Sequence, residues 1–133
     1  MSADDILVPV SPGELIDKIT ILRIKSARMT DAAKLANVRR ELQALQATWQ
    51  AHPFSRQDIG AEERALQQVN ERLWDIEDDI RDKERAKSFD ADFVRLARAV
   101  YFENDERAAL KKRINQKLGS SLVEEKSYRD YKG

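Results

Sequence analysis

Apolar residues along most of the chain recur at steps of three and four, the spacing of an amphipathic helix. Between residues 31 and 51, Leu35, Val38, Leu42, Leu45 and Trp49 trace one heptad seam. Leu66, Val69, Leu73, Ile76 and Ile80 repeat that spacing in 61–87. Phe93, Leu96, Ala97, Val100, Ile114 and Leu118 form a stripe through 91–118. The pattern predicts four helices, at about 12–28, 31–51, 61–87 and 91–118. The first has the clearest start. Ser11 suits the N-cap, Pro12 the first helical position, and Glu14 the third, where its carboxylate reaches back to complete a capping box. Val10 and Leu15 are placed for a hydrophobic staple. Thr30 or Asp31 caps the second helix and His52-Pro53 ends it, because the residue before proline is pushed out of the helical region. Residues 52–60 read as a loop. Glu62 and Glu63 suit the dipole at the start of the third helix. Ser88-Phe89-Asp90 makes a tight break, and Gly119 is a left-handed stop for the fourth.

A helix of about 27 residues is about 40 Å long. Two such helices joined by a short break predict an antiparallel hairpin, and the first two helices a shorter one. The expected fold class is therefore all-α. Two antiparallel helical hairpins form a bundle or coiled-coil-like assembly, closing on each other or across a two-fold axis. The expected organisation is a single helical domain over 1–133. Residues 1–10 form an extended arm that carries the apolar run 6–10, and 120–133 a polar tail with Tyr128 and Tyr131.

Composition narrows the function. The chain has 133 residues, 24 Lys plus Arg and 24 Asp plus Glu, for a formal net charge of zero. That balance provides no global attraction to nucleic acid or acidic membranes. With no cysteine there is no disulfide framework and no thiolate nucleophile. The single histidine, His52, cannot build a multi-histidine metal site, and no Ser/His/Asp arrangement follows from it. No metal and no cofactor are expected. Asp4 and Asp5 stand where a signal peptide needs positive charge. The apolar runs at 6–10 and 19–22 are far short of a membrane span. A cytoplasmic protein without membrane insertion is the expectation.

The apolar stripe is interrupted in the fourth helix. Asn104, Arg107, Lys111 and Asn115 fall within about 60° of Phe93 on the helical wheel, as Ile114 and the other apolar residues of the stripe do. On the third helix Asn70, Glu77 and Glu84 lie about 20–60° off the seam centre. An antiparallel hairpin turning near Ser88 sets Asn70 opposite 107–108 and Glu77 opposite 101–104. Arg23 falls between Ile16 and Ile19 on the first helix. Arg23, Asn70, Glu77, Asn104, Arg107, Lys111 and Asn115 are thus the candidate residues of an internal polar layer. Such a layer either pairs internally and sets helix register or turns cations and amides toward an anionic small molecule.

Other polar clusters read more simply. Asp75, Asp78, Asp79 and Asp82 point away from the seam, with Lys83 and Arg81 as partners for Asp79 and Asp78. Glu62-Glu63 lacks the further carboxylates that a metal-dependent helical pyrophosphohydrolase would need. Arg39-Arg40 and Lys111-Lys112-Arg113 are short basic patches surrounded by acids, which argues against nucleic-acid binding. Trp49 belongs to a seam, whereas Trp74 sits about 100° off its own and reads as exposed or covered by a partner.

Two stretches carry a family resemblance. Ser11-Pro12-Gly13-Glu14-Leu15-Ile16-Asp17-Lys18-Ile19-Thr20-Ile21-Leu22 opens the chain. Asn104-Asp105-Glu106-Arg107-Ala108, Lys111, Ile114-Asn115 and Glu124-Glu125-Lys126-Ser127-Tyr128 close it. With Leu73-Trp74-Asp75-Ile76-Glu77-Asp78 between them, they resemble a family of small bacterial proteins of unknown function. The resemblance covers nearly the whole chain. It implies a bacterial origin, a compact helical domain and the company of surface-polysaccharide and glycosyltransferase proteins, but no activity. The functional expectation is a non-catalytic helical module for protein–protein interaction or assembly, with a homodimer or a protein partner. The alternative is a small all-α enzyme or sensor that binds an anionic, phosphorylated metabolite in the polar layer.

Overall fold

The computed structural model describes residues 3–132. Met1, Ser2 and Gly133, at the ends of the expected arm and tail, lie outside the described residues. The chain forms α1 (Pro12–Arg28), α2 (Ala32–Ala51), α3 (Gly60–Arg85) and α4 (Ala91–Leu118), with a 3-10 turn at Pro53–Arg56. No strand occurs among the described residues.

Local chemistry accounts for the ends. Ser11 accepts the Glu14 amide proton at 3.1 Å, Asp31 that of Lys34 at 2.9 Å and Asp90 that of Phe93 at 2.9 Å. Gly119, at φ 73°, closes α4. The capping box expected at α1 forms by one half only, because the Glu14 carboxylate turns to Lys111, 2.5 Å away. A charge-assisted bond to another helix outcompetes a local one. Val10 remains exposed.

Helix α3 stops at Arg85, two residues before the expected end. Lys87 takes a left-handed φ of 52°, and the Ser88 amide donates to the Lys83 carbonyl at 2.9 Å. A residue with a Cβ pays about 1–2 kcal/mol in that region. Lys87→Gly is therefore expected to raise stability by about 0.5–1 kcal/mol, after allowance for glycine's freedom in the unfolded chain. Urea denaturation checks this; a lower midpoint would contradict the assignment.

The core gathers Ile16 and Ile19 of α1, Ile59, Leu66 and Val69 before and on α3, and Leu110, Ile114 and Leu118 of α4. Leu42, Leu45 and Trp49 of α2 pack on it from one side. Helix α1 touches all three other helices, which is consistent with a bundle. Pairing of Lys117 with Glu62 at one end and of Lys83 with Asp90 at the other sets α3 and α4 antiparallel.

Helix α1 has 17 residues against 26 in α3. It ends where Arg28 meets Asp75 at 2.5 Å and lies over the Trp74 ring at 6.0 Å. Trp74 is thus half-buried, with Arg28 of the chain's own α1 over its ring, rather than exposed. Beyond that point α3 and α4 continue as a two-helix stalk, and Ile76, Ile80, Phe93 and Val100 are only half-buried. The expected pairs Asp79 with Lys83 and Asp78 with Arg81 do not form. The turn brings Asp90 and Asp92 to Lys83, and Arg81 takes Glu77, one turn earlier, the better-oriented i,i+4 arrangement. Among the described residues, no helix is long and apolar enough to cross a membrane.

Candidate functional site

Asp17 lies on the buried side of α1 and is 1% exposed. Its carboxylate receives two bonds from one guanidinium, Arg107 Nε to Oδ1 at 2.9 Å and Nη2 to Oδ2 at 2.5 Å. Asn70 of α3 donates to Asp17 Oδ1 and to Thr20 Oγ1, both at 2.9 Å. The Thr20 hydroxyl donates to the Asp17 carbonyl at 2.8 Å. Three helices therefore meet at one buried carboxylate with its acceptors occupied. The bond to Asp17 holds the Arg107 pKa above the ordinary arginine value, against the desolvation that lowers it.

One turn earlier, the start of α1 is fastened to α4. The Gly13 amide donates to Asn115 Oδ1 at 2.7 Å and thereby loses one of the unpaired donors of a helix start. Gly13 is buried, and a Cβ there would fall on the Lys111 carbonyl. Glycine permits the two backbones this approach. Lys111 binds Glu14 at 2.5 Å and lies 3.6 Å from Glu124. Ser11 Oγ donates to the same Glu124.

Glu124 belongs to the tail, which folds back along α4. Lys126 pairs with Asp105 at 2.5 Å. The Tyr131 ring rests 5.0 Å from Tyr101 and 5.1 Å from Phe102. Hydrogen bonds from Lys126 and then Tyr131 lower the Asp105 pKa. Between α4 and the tail a groove of about 900 Å³ opens, with Arg107, Lys111 and Asn104 on the helix side and Lys126, Tyr128 and Arg129 on the tail side.

The candidate residues separate into groups. Asn70, Arg107, Lys111 and Asn115 join the inter-helix network described above. Asn104 is half-buried at its edge, donating to the Val100 carbonyl at 2.8 Å and accepting from Arg107 Nη1 at 3.4 Å. Arg23 lies apart, paired with Glu63 at 2.9 Å between α1 and α3. Glu77 is exposed and held by Arg81. It flanks the seam past the end of α1, where no third helix covers it. Asp17, Thr20, Glu14 and Glu124 were not among the candidates. A signal for Asp17 existed, since it falls about 20° from Ile24 on the helical wheel. Glu124 carried none, because a tail has no period. Among the described residues, no group of three or more His, Cys, Asp and Glu is placed to hold a metal ion.

Ahead of Ser11 the arm leaves the bundle. Ile6, Leu7 and Val8 are 90%, 73% and 68% exposed. Residues 6–10 make no backbone hydrogen bond to the rest of the described chain.

Neither the curated proteins nor the solved structures hold a significant match to the chain. A family model does match: the chain belongs to the Family of unknown function (DUF6165), over residues 6–131. The matched stretch begins at the first exposed large apolar residue of the arm and ends at the tyrosine that docks the tail.

Proposed function

We propose that this member of a family without an assigned function is a non-catalytic helical interaction module of the bacterial cytosol, and that it takes a protein partner through its arm. The observation that carries this reading is the apolar, exposed segment 6–10, which makes no backbone hydrogen bond to the rest of the described chain and lies inside the family match. The polar network supports it from the other side. Arg107 and Lys111 are already met by Asp17 and Glu14, as befits a lock that holds the helices in register.

An extended segment with free backbone groups adds readily to the open edge of another protein's sheet. Successive residues face opposite ways, so Ile6, Val8 and Val10 share one edge and Leu7 and Pro9 the other. Pro9 has no amide proton to donate, so the partner strand bonds to the 6, 8, 10 edge. Tagged full-length protein, expressed in its native host, is expected to capture a partner. Val8→Pro removes a donor from the bonding edge and should abolish capture; Leu7→Pro places its loss on the other edge and should retain it. Light scattering in parallel detects a second copy as the partner. A strict monomer that captures nothing, or capture indifferent to both substitutions, contradicts the reading.

A further inference from the structure

We propose that the groove between α4 and the tail binds a small phosphorylated molecule that carries a ring. The inference is independent of the arm. It starts from the unequal use of the Arg107 guanidinium. Asp17 occupies Nε and Nη2 from behind. Nη1 donates one long hydrogen bond, to Asn104 Oδ1 at 3.4 Å, and Arg107 and Asn104 both line the groove. A carboxylate behind an arginine fixes the direction of its outward edge, so that a bound oxyanion meets donors already oriented.

Across the groove stands Arg129, a second cation, with no acidic partner among the described residues. The acids that share the lining are engaged. Glu14 is bound by Lys111, Asp105 by Lys126, and Asp130 by the Lys132 amide. One pre-oriented guanidinium edge and one unpaired guanidinium on opposite walls suit a group with several acceptor oxygens, and a phosphate monoester offers three. Tyr101, Tyr128 and Tyr131 provide aromatic surface beside these cations for the ring of the same ligand. The volume, about 900 Å³, is in the range of small-molecule sites.

The test uses the full chain and three probes, phenyl phosphate, inorganic phosphate and phenol, followed by NMR titration. Phenyl phosphate is expected to saturate, about tenfold more tightly than inorganic phosphate, and phenol to bind weakest. Arg129→Ala, which breaks no hydrogen bond or ion pair among the described residues, should weaken both phosphates about tenfold and leave the circular dichroism unchanged. Tyr131→Ala should remove the advantage of phenyl phosphate over inorganic phosphate. Failure to saturate in the millimolar range, or saturation that Arg129→Ala leaves untouched, overturns the assignment.

Discussion

Arg107→Ala is expected to cost the folded state about 3–5 kcal/mol, the penalty for stripping one partner from a buried ion pair. Total stability for a domain of this size is about 5–15 kcal/mol, so the variant should melt far earlier. The loss leaves Asp17, 1% exposed, with Asn70 as its remaining side-chain donor. The reverse change should cost less. In Asp17→Ala the guanidinium, which is 30% exposed in the native fold, can turn toward the groove and water, while Asn70 keeps Thr20 as an acceptor. The expected order is Arg107→Ala worse than Asp17→Ala, with the double variant no worse than Arg107→Ala alone. Urea unfolding of the three proteins measures this. Equal and additive losses would mean that the pair is not the lock between α1 and α4.

The second large effect is Gly13→Ala. By helix propensity alone, alanine in place of glycine should stabilise, by about 0.5–1 kcal/mol. The packing predicts the opposite sign. The new methyl meets the Lys111 carbonyl and comes within 2.9 Å of Asn115 Oδ1. Since a backbone group and a short side chain cannot swing aside, α1 must lift off α4. Overpacking of this kind costs about 1–3 kcal/mol, and the Gly13 to Asn115 hydrogen bond adds about 1 kcal/mol when stretched. A net loss of about 2 kcal/mol is expected, read from the denaturation midpoint. A stabilised variant would show that the close approach of the two backbones does not exist in solution.

Much of this arrangement was legible beforehand. Seam spacing marked α2, α3 and α4, and Ser11-Pro12 marked where α1 begins. The antiparallel register set Asn70 opposite Arg107, and both reach the same carboxylate of Asp17. Glu77 lies within about 20° of Asn70 on the helical wheel, yet one is exposed and the other buried. A wheel treats the two alike, because it carries no information on where a third helix ends. Arg23 misled for a related reason: its arc of α1 faces α3 and α2, whereas α4 lies against the arc of Gly13 and Asp17.

The amino-acid sequence by itself determined the helices, most of their ends and the stripes that had to be buried, since these follow from spacing and from chemistry within a few residues. Tertiary structure alone decided which polar groups were enclosed, that Glu14 would leave its own cap for Lys111, and that residues 120–132 would fold back to wall a groove. Those outcomes depend on side chains about a hundred positions apart, such as Ser11 and Glu124. No local period encodes such a meeting; it is set when the buried stripes of α1, α3 and α4 pack together.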